Sequence, residues 1–301
     1  MKIRENNMNM PLNALTDVYA GVLANVILED RVPLEARDII PKITNIDGLD
    51  IASRTISAVR YFTDGKALIS DLRPNTLPVM SAVATKDSWD LKWISIAIRT
   101  DINEKDDIAT GKVKPVNKTI EAFRIVAETE NDFLLNGFNK LGVDGINSVD
   151  GNQGIHIVAA AKPWATATGE EIVGDIAKMY EAMTTGKIYK ARTLAMPEKL
   201  NFLINSKVYT DKTGKVIDSA MTIKEVLDKR GYFETYKSII GIEAPMLLDD
   251  VPENFGFVPV LDITIGETYK NGRAEETPIE EKLSEFMLLK PLAIAKLTGA
   301  N

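Results

Sequence analysis

The sequence predicts an α+β fold, on three observations. A helical hydrophobic period runs from Pro115 to Asn136, and a strand-like alternation runs through "WDLKWISIAIRTDI" (Trp89 to Ile102). The later helices and strands then follow one another without regular βαβ alternation. At 301 residues, 45% hydrophobic and 26% charged, the chain can bury one large core or two smaller ones.

Residues 1 to about 50 read as an arm with one amphipathic segment, in which Ala14, Val18, Val22, Val26 and Ile27 recur at helical spacing. Pro33 interrupts it, and Pro41 keeps "LEARDIIPKI" from forming a long helix. "SRTISAVRYF" is rich in β-branched and aromatic residues and predicts a strand, with "TDGK" (Thr63 to Lys66) as a tight turn. "DLRPNTLPVM" holds two prolines and is extended or looped. In the next strand Trp89, Leu91 and Trp93 share one face, and Ile94, Ile96 and Ile98 the other. That switch fits a bulge, a strong twist or a strand covered on both sides. Residues 53 to 102 thus form a β-rich excursion whose Trp and Ile side chains need a partner surface.

In the helix expected over 115–136, Val116, Ile120, Phe123, Val126, Ala127, Phe133 and Leu134 form one apolar stripe. Pro115 suits its first turn and Gly137 its C-terminal cap. "GIHIVAAA" predicts a strand. Thr168 and Glu171 form a capping box that starts a helix with Ile172, Ile176, Met179 and Met183 buried. "ARTLAMPEKLNFLIN" reads as strand, proline, helix; "TDKTGK" (Thr210 to Lys215) as a hairpin-like turn; and "TIKEVLDKRGYF" as a short helix. "FGFVPVLDITIGETY" and "LSEFMLLKPLAIAKL" close the chain with strands.

Composition excludes several function classes. The net charge is −7, and the longest basic cluster, "KVKPVNK" (Lys112 to Lys118), is short, which argues against a dedicated nucleic-acid binder. Cysteine is absent, which removes disulfides, thiolate metal sites and thiol catalysis. The first residues lack the apolar core of a signal peptide, and no run approaches the ~18 apolar residues of a membrane helix. A soluble chain of intracellular origin is expected.

Chemical motifs fail on inspection. The Gly-Lys pairs at Lys112, Lys187 and Lys215 are followed by Val, Ile and Val, and are preceded at the required position by Asp106, Glu181 and Tyr209 in place of glycine. His156, the only histidine, lies between isoleucines in a strand, and no nucleophile elbow accompanies it. Glu170-Glu171 are explained by a helix N-terminus, while Asp249-Asp250 and Glu280-Glu281 read as solvated turns. The sequon at Asn117 to Thr119 carries no meaning without secretion. No catalytic, cofactor-binding or metal residues are therefore assigned.

The stretch "VNKTIEAFRIVAETENDFLLNGFNKLGVDGI" resembles the spine-helix region of tailed-phage major capsid proteins of the Hong Kong 97-type fold and of the related encapsulins. Glu130, Gly137, Gly142, Gly145, Ile146 and Asn147 match that pattern. "WATATGEEIVGDI", "TLAMPEKLNFL" and "LLKPLAIAKLTG" resemble later segments of the family, in order, over roughly residues 110 to 300.

The resemblance implies an N-terminal arm (1–50), an E-loop reaching over the neighbouring subunit (51–110), and a P-domain with the spine helix (111–190). A mainly A-domain segment (191–265) and C-terminal P-domain strands (266–301) complete it. It also implies a non-enzymatic shell protein that assembles with itself as pentamers and hexamers in the host cytoplasm, into a virion enclosing double-stranded DNA without sequence-specific binding. A separate scaffolding protein and a portal are expected, and no membrane or cofactor.

Trp89, Trp93, Ile96, Lys66, Arg73, Asp211 and Lys212 are the candidate inter-subunit contacts. Some members cross-link E-loop lysines to asparagines; for Lys66, Lys86 and Lys92 an ordinary surface lysine is the better expectation. Two alternatives stay open: an encapsulin shell around a cargo enzyme, and an α+β enzyme of unknown type.

Overall fold

The computed structural model describes residues 34–44, 46, 48–64, 80–101, 103–104, 110, 118–185, 189–217 and 221–301. The expectations for Ala14 to Ile27, for most of "DLRPNTLPVM", for Gly65-Lys66 and for the helix's first residues (115–117) fall outside that set.

In chain order come α1 (Ala36–Ile39), β1 (Thr55–Asp64), β2 (Ser81–Asp101) and α2 (Lys118–Asn136). Two short strands, β3 (Gly137–Phe138) and β4 (Val143–Asp144), close the turn after α2. Next are β5 (His156–Ala159), α3 (Gly169–Thr184), β6 (Thr193–Met196), α4 (Glu198–Ser206), α5 (Ile223–Arg230), β7 (Thr235–Ser238) and β8 (Met246–Leu248). The last strands are β9 (Phe255–Gly256), β10 (Pro259–Ile265), β11 (Tyr269–Asn271), β12 (Ala274–Ser284), β13 (Met287–Leu288) and β14 (Ile294–Thr298).

The α+β expectation holds, and one strand organises the first unit. β2 is 21 residues long, roughly 70 Å at strand rise. Its first half pairs antiparallel with β1, from Thr55↔Asp90 to Asp64↔Ser81. Its second half pairs antiparallel with β12, from Ser284↔Leu91 to Ala274↔Asp101. Both registers run without a slip, so no bulge explains the change of apolar face. The strand changes partners instead. Trp89 and Leu91 turn inward to a small core with Ile56, Val258 and Met287, and from Ile94 onward the opposite face lies under α2.

α2 carries Ala122, Val126, Glu130, Phe133, Leu134 and Leu135 on its buried side. Ala122 and Val126 meet Ile279 of β12, with Ile94, Ile96 and Ile98 packed around them. Ile120, expected in the stripe, is instead 39% exposed, because the helix rolls toward Ala122. Arg124 pairs with Glu128 at 2.7 Å on the outer face, a helix-supporting i,i+4 pair.

A second sheet, β5-β14-β8-β6-β7, forms a separate layer. α3 covers it, with Ile172, Ile176, Met179 and Met183 fully buried against Leu194, Leu247, Ala295 and Leu297. The capping box at Thr168 and Glu171 is present, and a matching one at Thr222 and Glu225 starts α5. Pro197 sits between β6 and α4, as the strand-proline-helix reading requires. α3 shares its core with α4 and α5, since its apolar face matches the second sheet.

Candidate assembly surfaces and the junction that holds them

Beyond its base, the β1–β2 ribbon has little packing. Residues 81 to 86 are all exposed, and Val59 and Val83 present 52% and 61% of their surface. A lone two-stranded ribbon is marginal in water, so this one depends on its anchorage and on whatever covers it. Arg60 and Asp87 pair across the strands at 2.9 Å, next to a cleft of about 480 Å³ bordered by Lys86, Trp89, Asp144 and Glu285.

The anchorage lies in two adjacent residues of β12 that point to opposite faces. Lys282, only 3% exposed, donates from Nζ to the carbonyl of Ser53 at 2.6 Å and to that of Ile51, just before β1. Its ammonium also lies 5.0 Å from the ring centroid of Trp93, its cross-strand neighbour. Glu281 points the other way and is fully buried. There Arg37 of α1 joins two carboxylates: Nε and Nη2 reach the two oxygens of Glu130 at 2.6 Å each, and Nη2 reaches Oε1 of Glu281 at 3.0 Å. Oε2 of Glu281 is buried without a hydrogen-bond partner. Burial, and then the charge of Glu130, push the Glu281 carboxyl up to about 7, with Arg37 opposing.

The turn after α2 fixes the far end of the helix. Ile146 and Asn147 donate their N–H groups to the carbonyls of Leu134 and Leu135 at 3.1 and 2.9 Å, satisfying two terminal acceptors. The chain returns so closely that a Cβ on Gly145 would stand 2.4 Å from the nitrogen of Gly137. Gly137 itself sits at φ 72°. Asn147 completes the turn by donating to Asn136 Oδ1 and to the Gly241 carbonyl, both at 2.7 Å.

The candidate contact residues fall in three places. Trp89 is half-buried at the ribbon base, and Ile96 is half-buried under α2. Trp93 is 47% exposed. Asp211 and Lys212 lie far along the chain, in the hairpin closed by the Thr210↔Val216 bridge. There the Asp211 carboxylate accepts from the Thr213 hydroxyl and from the N–H groups of Lys215 and Thr213, which hold it below the usual range. Lys212 donates its N–H to Glu170 at 3.1 Å, tying this turn to the start of α3. Lys66 and Arg73 lie outside the described residues. Lys86 is exposed, and Lys92 pairs with Asp90 at 2.7 Å.

Two acidic pairs read as solvated turns are corrected. Glu281 is interior, and Asp249, 5% exposed, accepts from Arg192 Nε at 2.7 Å. Strand alternation explains Glu281: it shares a face with Ile279 and Leu283, a signal visible once 274–284 is read as one strand. The role of Arg37 left no such mark. Among the described residues no group of three acidic or histidine side chains could hold a metal, and no helix is long and apolar enough to cross a membrane.

A family model described as "Major capsid protein" matches residues 65–244, more than half of the chain. The chain belongs to the major capsid protein family. Its fold is similar to the capsid of Myoviridae phage XM1, with a TM-score of 0.72 at 12% identity, covering 90% of this chain and 93% of that one. It is also similar to a virus-like particle from Pyrococcus furiosus, with a TM-score of 0.55 at 16% identity, covering 95% and 98%. The capsid of an empty GTA particle gives 0.56 at 12% identity, covering 92% and 97%. No curated protein matches in sequence. The fold is thus the tailed-phage capsid fold at low sequence identity. This major capsid protein is a structural subunit of a virion shell, built from repeated copies of itself.

Proposed function

We propose that the chain tiles a closed icosahedral head that encloses double-stranded DNA, assembled in the host cytoplasm with a separate scaffolding protein and a portal. Membership of the major capsid protein family carries this reading. The exposed β1–β2 ribbon supports it, as an arm too thin to be stable alone. In this reading residues 1–50 are the N-terminal arm and 51–110 the E-loop laid over a neighbour. The P-domain comprises 111–190 and 266–301, and the A-domain mainly 191–265. α3, β5 and β14 are the exception within those P-domain ranges: because they share the second core, we move them to the A-domain layer.

Trp93, Asp211 and Lys212, with Lys66 and Arg73, serve as contacts between subunits. Trp89 and Ile96 spend much of their apolar surface inside the subunit and set the direction of the arm. Many modest heterologous contacts, repeated around closed rings, give a stable shell. The subunit binds no base sequence and contributes no catalysis; its net charge of −7 keeps a DNA-filled interior from being adhesive.

Expression of the chain with and without its scaffolding protein, followed by size-exclusion chromatography and negative-stain electron microscopy, tests the proposal. Closed shells or rings of five and six subunits are expected. Shells that co-purify with an enclosed enzyme would move the reading to a cargo compartment. A chain that stays monomeric with its scaffold would overturn it.

A further inference from the structure

The sequence holds two Asn-Gly pairs, Asn136-Gly137 and Asn271-Gly272. With no Cβ on the second residue, its backbone nitrogen is unshielded and can approach the asparagine side chain closely. The fold treats the two pairs differently.

Asn136 ends α2, and its carboxamide is held from both sides. Its Nδ2 donates to Asp132 Oδ1, and its Oδ1 accepts from Asn147 Nδ2, both at 2.7 Å. Leu134 and Leu135 just before it are buried. Gly137 is crowded as well: a Cβ placed on it would stand 2.3 Å from the Val143 carbonyl oxygen and 2.6 Å from the Gly145 nitrogen. Bringing Asn136 Cγ over the Gly137 nitrogen would require opening this turn and the buried end of the helix.

Asn271 ends β11, three exposed residues that pair with β12 from Tyr269↔Glu276 to Asn271↔Ala274. Gly272 opens the two-residue loop at φ 64°, with open space where a Cβ would stand. The carboxamide is restrained by a side-chain bond at the surface, from Nδ2 to Glu276 Oε1 at 3.0 Å. A strand this short and exposed opens at little cost.

We propose that Asn271-Gly272 is a self-modification site, where the chain deamidates without an enzyme while Asn136-Gly137 is protected. The Gly272 nitrogen attacks Asn271 Cγ, the bond from Cγ to Nδ2 breaks, and the Gly272 N–H proton leaves with that nitrogen as ammonia. Water then opens the cyclic imide at either carbonyl, leaving aspartate or isoaspartate. One water is consumed, one ammonia is released, and nothing is oxidised or reduced.

The new carboxylate replaces the donor to Glu276 and stands beside it as a like charge. Isoaspartate also lengthens the backbone at a loop whose two residues set the register. Either product loosens β11 from β12. The site belongs to the folded subunit and stands whether or not the chain forms shells.

Ageing of the purified full chain in mildly alkaline buffer, followed by peptide mass mapping and enzymatic isoaspartate labelling, tests this. Asn271 should convert at least about tenfold faster than Asn136, because the hairpin opens locally and the helix end does not. In urea, which removes the protection, the two should convert at similar rates. A native chain that converts both alike, or that keeps the Asn271 amide while the urea sample loses it, overturns the proposal. Asn271→Gln should abolish the isoaspartate label on its peptide with the melting temperature unchanged; a label that persists there overturns the assignment. Asn271→Asp, which reproduces one product, should speed hydrogen exchange at the β11 amides, and unchanged exchange overturns the loosening.

Discussion

Single side chains at the junction do work that no local motif announces. Lys282 satisfies two backbone carbonyls from within the core, so Lys282→Met should leave both without a donor. A loss of about 1–3 kcal/mol is expected in denaturant unfolding. Glu281 carries a pH signature as well. Its raised carboxyl costs stability as pH rises from about 4.5 to about 7, so Glu281→Gln should gain on wild type across that window. The gain should be on the order of 2 kcal/mol at pH 8, with little gain near pH 4.5. Unfolding curves at the two pH values check the sign.

The glycines after α2 separate two physical requirements. Gly142, at φ 66° with open space around it, should tolerate alanine at about 1 kcal/mol. Gly145, where a Cβ would meet backbone at 2.4 and 2.5 Å, should lose about 3 kcal/mol or more. Equal losses would mean that the turn is looser than described.

Among the elements, those with local signals were legible and those made by partners were not. α3 and α5 start at Thr-x-x-Glu boxes, and both boxes form. Thr168→Ala or Thr222→Ala should each cost about 1 kcal/mol in thermal unfolding, without change to the rest of the fold. The strand-proline-helix around Pro197 and the turn at 210–215 were legible for the same reason, because proline, glycine and aspartate restrict the backbone where they stand.

β2 shows the opposite case. Its alternation identified a strand, but the switch of face before Ile94 fitted a bulge, a strong twist or cover on both sides equally well. Only pairing with β1 on one half and β12 on the other decides between them. The acidic pair at Glu280-Glu281 was misread because burial of a carboxylate depends on a distant cation, and Arg37 stands 244 residues away.

For the whole molecule, the prediction concerns separability of fold and assembly. Replacing Ala58 to Asp87 with a two-residue Asn-Gly turn removes the ribbon while keeping the Ser57↔Ser88 pair as its base. Circular dichroism and the melting temperature should stay near wild type, and shells should fail to form. A variant that still closes shells would remove the ribbon from the proposed assembly mechanism.

The sequence by itself determined the α+β class, the long helix after β2 with its glycine-rich stop, and the capped helices. Each depends on residues within a few positions of one another, where dihedral preference and hydrophobic period act directly. Family membership was legible too, through the order of several weak motifs. Only the tertiary structure decided that β2 serves two sheets, that α3 belongs to the second core, and that Glu281 and Lys282 fasten opposite faces of one strand. Those outcomes rest on contacts between segments far apart in the chain, by as much as 244 residues for Arg37 and Glu281. The free energy of burying a charge is set by which partner the fold delivers, and no local pattern encodes that.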